Sequence, residues 1–155
     1  LYQNDKKFFV KLKKVFPKYF HSFPVNKEEI IDLILTNENN FKNITKVVHF
    51  EVRKKMNLFL RKNENKKIVI LDIPLLLENK INKKNDVLVF VQSKKSDILK
   101  RLKIRDNFNP KLLKKFRSIQ LSVDYKKKKS QFIIKNNFTK KSVTKDIKHI
   151  LKEIL

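Results

Sequence analysis

Glycine is absent from all 155 residues, and so are cysteine and tryptophan. Without glycine the chain cannot build a Gly-rich phosphate loop, whose converging backbone N–H groups need φ values that other residues resist. Without cysteine there is no disulfide framework and no thiolate metal site. The three histidines, His21, His49 and His149, are too scattered for a zinc cluster, so no metal held by protein nitrogen and sulfur is expected. No apolar run approaches the length of a membrane span, and the opening "LYQNDKKFF" lacks the apolar core of a signal peptide. A cytoplasmic location is the expectation. Neither an internal repeat nor a Gly/Ser linker divides the chain.

What is present points to a packed domain. Hydrophobic residues make up 41% of the chain and 13 of them are Phe, enough for one ordinary core. The formal charge of +24 suits a polyanion partner, and a basic nucleic-acid-binding module is one reading. Composition supplies another explanation. Of the 39 basic residues 34 are Lys, while Asn and Ile abound, the bias that an AT-rich coding sequence would impose. A nucleic-acid module would also interleave exposed aromatics or Arg with its lysines, whereas most Phe here fall on buried-type periodic positions. The five arginines carry more information. Arg101, Arg105 and Arg117 fall within residues 101–117, where an even spread of five would place fewer than one. A planar, forked guanidinium in so Lys-biased a chain suggests a grip on phosphate or carboxylate oxygens; a solvated helix face is the alternative.

Helices precede the first strand. "NDKKFFVKLKKVF" sets Phe8, Leu12, Val15 and Phe16 on one stripe, ended by Pro17. "NKEEIIDLIL" opens with Asn26 as N-cap and Glu29 three residues on, a variant of the capping box. Phe41, Ile44, Val48, Val52, Met56 and Phe59 recur at helical steps and predict one long amphipathic helix. From residue 67 the period changes. "KIVILD", "DVLVFVQ" and "QFIIK" are continuous apolar runs suited to strands covered on both faces. Between and after them lie the helical patterns "SDILKRLKIRD", "NPKLLKKFRSI" with Asn109 as N-cap and Pro110 at N1, and "SVTKDIKHILKEIL". Alternating strands and helices imply a layered α/β fold with parallel pairing.

Ligands bind such sheets at the carboxyl ends of the strands. Asp72 ends "IVIL" in the manner of a Walker-B-like carboxylate that orients Mg²⁺-bound water or a reacting hydroxyl. A capping or turn role fits the same residue.

The order of elements adds to this. "LDIPLLLEN" is followed by the strand "DVLVFVQ", then "KRLKIRD", then Gln120-x-Ser122 with Lys126, then "FIIKNN" ending at Asn136 and Asn137. Together these resemble dephospho-CoA kinase, from about His49 to the C-terminus and more loosely before it. The resemblance implies a three-layer α/β/α P-loop NTPase-like fold with a parallel sheet, a helical substrate-binding region and a helical lid. It implies ATP-dependent phosphorylation of the 3′-hydroxyl of dephospho-CoA, the last step of coenzyme A synthesis, with Mg²⁺, by a monomer that binds neither a specific nucleic acid nor a membrane. Residues about 1–62 would form the CoA-substrate region, about 63–100 and 130–155 the α/β core, and about 101–127 the lid.

The departures are equally specific. The family usually has Pro after the histidine matching His49, and Phe50 stands there, so no role is assigned to His49. Ser130-Gln131 and Lys135 replace the usual Ala-Asp and Asp, and the glycine that usually follows the asparagine is missing. The P-loop and an Asp-x-Asp segment with the general base belong ahead of the point matching Leu1. The expectation is an N-terminally truncated copy lacking the first strand or strands and the P-loop, inactive alone; a degenerate, non-catalytic relative is the alternative.

By resemblance, Arg101 and Arg105, read as one helical turn apart on a common face, grip ATP phosphates, and Arg117 is a weaker lid candidate that could equally serve a salt bridge. Asp72 acts near the acceptor hydroxyl and touches Mg²⁺ only through water, with no direct metal ligand. Pro74, Leu75, Leu76 and Leu77 form an apolar substrate wall, or ordinary core, and Glu78 fixes that wall or touches substrate. Asn136 lies on the adenine side, where a turn-forming Asn is equally suited. "KKKK" at 126–129 reads as a solvated helix face, although Lys126 matches a family lysine. His21 and His149 read as surface residues, and the Phe8, Phe9, Phe16, Phe20 and Phe23 group as packing.

Overall fold

A computed structural model describes residues 2–155. They form two compact units, Leu1–Asp72 and Ile73–Leu155.

The first unit is helical. α1 spans Lys6–Val15, α2 Lys27–Thr36 and α3 Glu38–Lys62. Each starts on a side chain that accepts an orphan N–H of the first turn. Asp5 Oδ1 takes the Phe8 N–H, Asn26 and Glu29 form the full capping box, and Asn37 takes the Asn40 N–H. The core gathers Phe8, Leu12, Phe16, Phe20, Val25, Leu33, Ile34, Phe41 and Ile44, with Leu12, Phe20 and Leu33 fully enclosed. Edge-on contacts join Tyr2 to Phe8 and Phe16 to Phe20, the geometry favoured by the ring quadrupole. Burial pushes the Tyr2 hydroxyl up to about 12. Two expectations need correction. Val15 turns outward at 45% exposure, because its stripe ends where the helix does. The α3 stripe is real, yet burial is confined to Phe41 and Ile44, and Val52 and Phe59 are exposed.

The strand expected at "KIVILD" does not form, and residues 68–73 are irregular. A strand exists only through its ladder partner, and the unit that contains Ile68–Leu71 holds helices alone among the described residues. Ile70 is left 82% exposed.

The second unit is α/β. β1 (Val89–Gln92) and β2 (Phe132–Lys135) pair in parallel, with Val89 opposite Phe132 and Gln92 opposite Lys135. The crossover between them carries α4 (Lys95–Lys103), α5 (Pro110–Ser118) and α6 (Val123–Lys129), as parallel pairing requires. Asn109 caps α5 with Pro110 at its start, and Ser122 caps α6. α7 (Lys140–Ile154) packs on β2 and buries Ile150, while Asp146 accepts the Lys135 N–H at 2.9 Å. Gln131 continues the ladder by one step: its side chain accepts the Leu88 N–H at 2.7 Å and its own N–H donates to the Leu88 carbonyl at 2.9 Å. The α/β class and the parallel pairing of "DVLVFVQ" with "QFIIK" are as expected.

In a chain without glycine, left-handed backbone falls to residues with a Cβ: Leu75 at φ 58°, Lys80 at φ 50° and Phe138 at φ 65°. Lys80 closes a Schellman motif. Its N–H bonds the Leu77 carbonyl at 3.2 Å, and the Ile81 N–H reaches back to Leu76 at 3.1 Å. Glycine is the favoured residue at that position, so Lys80→Gly is expected to stabilise the fold by about 0.5–1 kcal/mol, relief of strain exceeding the added chain entropy. Lys127→Gly inside α6 is expected to cost about 1 kcal/mol; equilibrium urea unfolding measures both.

Candidate functional site

The carboxyl end of the β1–β2 pair gathers two of the expected residues, Asn136 and Arg101. Asn136 follows β2 directly, and its N–H donates to the Gln92 carbonyl at 2.8 Å, tying the two strand ends together. Its side-chain oxygen accepts the Phe138 N–H at 2.7 Å. Asn136 is therefore a turn-forming Asn, and the turn presents the Phe138 ring. The Arg101 guanidinium lies over that ring, 4.5 Å from its centroid, within cation–π range. Arg101 is exposed near the C-terminal end of α4 and makes no hydrogen bond or ion pair through its side chain to other described residues.

Arg105 is not on the Arg101 helix face. α4 ends at Lys103 with Ile104 as its C-cap, and Arg105 stands in the turn beyond. That turn is closed by Arg105 N–H to Leu102 at 3.2 Å and Phe108 N–H to Arg105 at 2.9 Å. The basic run at the helix end favours termination there, with Lys100, Arg101 and Lys103 complementing the carboxyl pole. Arg117 is exposed on α5 and forms no ion pair among the described residues.

Pro74, Leu75, Leu76 and Glu78 belong to one tight turn, residues 74–80. Leu75–Leu77 are half-buried, and the Leu75 carbonyl accepts both the Asn79 N–H at 3.0 Å and the Asn79 side-chain amide at 2.8 Å. Glu78 is the fastener. One carboxylate oxygen accepts the Leu121 N–H at 3.0 Å and the Lys126 ammonium at 2.6 Å, with 9% of the Glu78 side chain exposed. Burial alone would push this carboxyl up. The Lys126 ammonium, the N–H of Glu78 itself and that of Leu121 outweigh it and hold the group below the usual glutamate range. Lys126 thus leaves the solvated "KKKK" reading, and the turn is fastened to the segment joining α5 and α6.

In the first unit Asp72 is exposed at the end of the irregular segment. His49 is half-buried within α3, and burial, then the Arg53 charge, lowers its pKa. Phe50, where the family usually has Pro, is exposed and touched on one face by Lys11, whose ammonium is 4.5 Å from the ring centroid and 2.7 Å from Glu51. Among the described residues no three His, Asp or Glu groups converge as a metal site, and no helix is long and apolar enough to cross a membrane. The site-forming contacts that sequence reasoning missed are Phe138 and the Glu78–Lys126 pair.

The dephospho-CoA kinase family model matches residues 1–142. The chain belongs to the dephospho-CoA kinase family. It is 30% identical over 153 residues to a dephospho-CoA kinase of Wolbachia pipientis wMel, covering 97% of this chain and 78% of the relative. It is 27% identical over 142 residues to one from Bartonella henselae, covering 90% of this chain and 73% of the relative. The solved structure of dephospho-CoA kinase from Campylobacter jejuni matches in fold with a TM-score of 0.55 at 20% identity, covering 96% of this chain and 77% of that one.

Because the folded-state pKa of Glu78 lies below its unfolded value, its contribution to stability is complete above the ordinary glutamate range. It is lost as pH falls through the folded value. Glu78→Gln is expected to cost about 1–3 kcal/mol at neutral pH and to flatten this part of the acid limb; urea unfolding between neutral and acid pH checks both.

Proposed function

We propose that the protein transfers the γ-phosphoryl group of ATP to the 3′-hydroxyl of dephospho-CoA, giving coenzyme A, as a cytoplasmic monomer. The observation that carries this reading is the family match over residues 1–142, together with relatives from two bacterial genera that bear the same name. Residues about 1–62 serve the CoA end of the substrate, about 63–100 and 130–155 the α/β core, and about 101–127 the lid.

Phosphoryl transfer is mostly positioning and charge neutralisation. Arg101 and Arg105 supply the cations that close on the triphosphate oxygens, and two planar forks suit that task better than the surrounding ammonium groups. Asp72 orients the acceptor hydroxyl. Pro74, Leu75 and Leu76 line the apolar part of the substrate. Glu78, with its carboxylate engaged by Leu121 and Lys126, holds that wall in shape and does not touch substrate. Asn136 sets the loop beside the adenine.

A single exposed carboxylate is the donor set that Mg²⁺ tolerates, since this ion keeps several waters and takes most other ligands from substrate phosphates. Asp72 would hold it through water, and the ion would neutralise charge on the β- and γ-phosphates.

These 155 residues contain no glycine and hence no backbone cradle for the triphosphate. The 155-residue chain alone is therefore expected to release no ADP above background with ATP, Mg²⁺ and dephospho-CoA; measurable turnover in a coupled assay would overturn that point. Calorimetric titration with dephospho-CoA tests the substrate assignment. Saturable one-to-one binding is expected, and salt-dependent binding of nucleic acid without any response to dephospho-CoA would refute it. In a form of the protein that also carries a phosphate-binding loop, Arg101→Lys is expected to lower turnover on the order of 10²-fold while leaving thermal unfolding unchanged. Near-normal turnover would remove Arg101 from the site.

A further inference from the structure

The fold alone does not account for Phe138. At φ 65° it occupies backbone that costs a residue with a Cβ about 1–2 kcal/mol, and the residue, 41% exposed, recovers little of that by burial. The turn does not need the ring. Asn136 Oδ1 takes the Phe138 N–H at 2.7 Å, and Asn137 Oδ1 takes the Thr139 N–H at 3.1 Å, its hydroxyl at 2.8 Å and the Ser142 hydroxyl. Thr139 then caps α7. Backbone and short polar side chains thus over-determine the loop, and the ring is carried as cargo to Arg101.

What the ring gives Arg101 is orientation without loss of donors. A guanidinium has all five N–H groups in its plane, so contact with an aromatic face leaves them available, whereas a carboxylate partner would occupy two. Arg101 has the ring, 4.5 Å away, and no hydrogen bond or ion pair from its side chain among the described residues. Arg side chains carry about 2 kcal/mol of rotamer entropy, and ordering part of it before a ligand arrives strengthens binding. The contact lies beside Asn136 and Gln92, at the carboxyl ends of the parallel strands, where such sheets bind ligands.

We propose that Phe138 is a positioning residue for Arg101: its ring, presented by the left-handed turn after β2, holds the guanidinium at the carboxyl end of the sheet with its donors free for nucleotide phosphates. This rests on the reading of Arg101 as a phosphate-binding residue.

The test uses the uniformly ¹⁵N-labelled 155-residue chain, whose five arginine Nε–H signals report each guanidinium separately. The Arg101 signal is expected to carry a ring-current shift that disappears in Phe138→Gly and persists in Phe138→Tyr. Glycine suits the left-handed turn, so the first variant removes the ring without endangering the loop. MgATP is then titrated at physiological ionic strength and followed at the amides of Gln92 and Asn136, which report this rim and not the lysine-rich surface. Phe138→Gly is expected to weaken MgATP about two- to fivefold, and Phe138→Tyr to restore it. If Phe138→Gly binds as tightly as the unaltered chain, or more tightly, while Arg101→Ala binds more weakly, the positioning role is wrong and the phosphate role survives. If Arg101→Ala binds unchanged, the phosphate role falls and the proposal with it, and if the Arg101 signal does not move in Phe138→Gly, the ring contact itself is absent and the proposal falls.

Discussion

A left-handed turn built from a residue with a Cβ is uphill by about 1–2 kcal/mol, and this glycine-free chain meets that cost at three residues none of which is Asn. Its local architecture follows from how the three such residues are held. Leu75 and Lys80 bracket the turn at 74–80, secured by the Asn79 amide, the Schellman bonds and the Glu78 clamp. Phe138 is secured by a run of Asn, Thr and Ser side chains. Strained backbone persists where its surroundings over-determine it, and such places are commonly functional. Here both fall on segments that we propose meet substrate or nucleotide.

The surface charge obeys a similar economy. With 39 basic and 15 acidic residues, carboxylates are the scarce partner. Lys126 is joined to Glu78 where burial makes the pair count, while Arg101 is left to an aromatic ring. Had Arg101 been matched with a carboxylate, its donors would be occupied and its charge partly cancelled. Scarcity of acid and availability of Arg for anions are two sides of one composition.

Much of the fold was readable from local rules. Asn26 with Glu29, and Asn109 with Pro110, announced helix starts that the structure reproduces, and the runs ending at Gln92 and Lys135 became the paired strands. The run at 68–71 had the same composition and formed no strand, because apolar character reports a wish for cover while pairing depends on a neighbour supplied from elsewhere. The Glu78 clamp was invisible for a related reason. Leu121 lies 43 residues away, and within "KKKK" neither charge nor period distinguishes the lysine that meets a carboxylate from its three neighbours. At Arg105 the helical period was extended one turn too far, since Ile104 gives no local stop signal such as Gly or Asn. Phe138 did leave a trace: an asparagine turn without its customary glycine requires some other residue to take up the left-handed backbone.

The helical unit contains a seam of a different kind. Beyond buried Phe8 and Leu12, α1 is joined to α3 by Lys11–Glu51 and Asp5–Lys55, both at 2.7 Å and both open to solvent. Counter-ions screen such pairs, while the enclosed Phe20 and Leu33 are indifferent to them. Ionic strength therefore acts as a selective solvent for this one seam. Brine weakens these two pairs and leaves the aromatic centre untouched, so the salt sensitivity of the α1–α3 contact is concentrated at its charged margin.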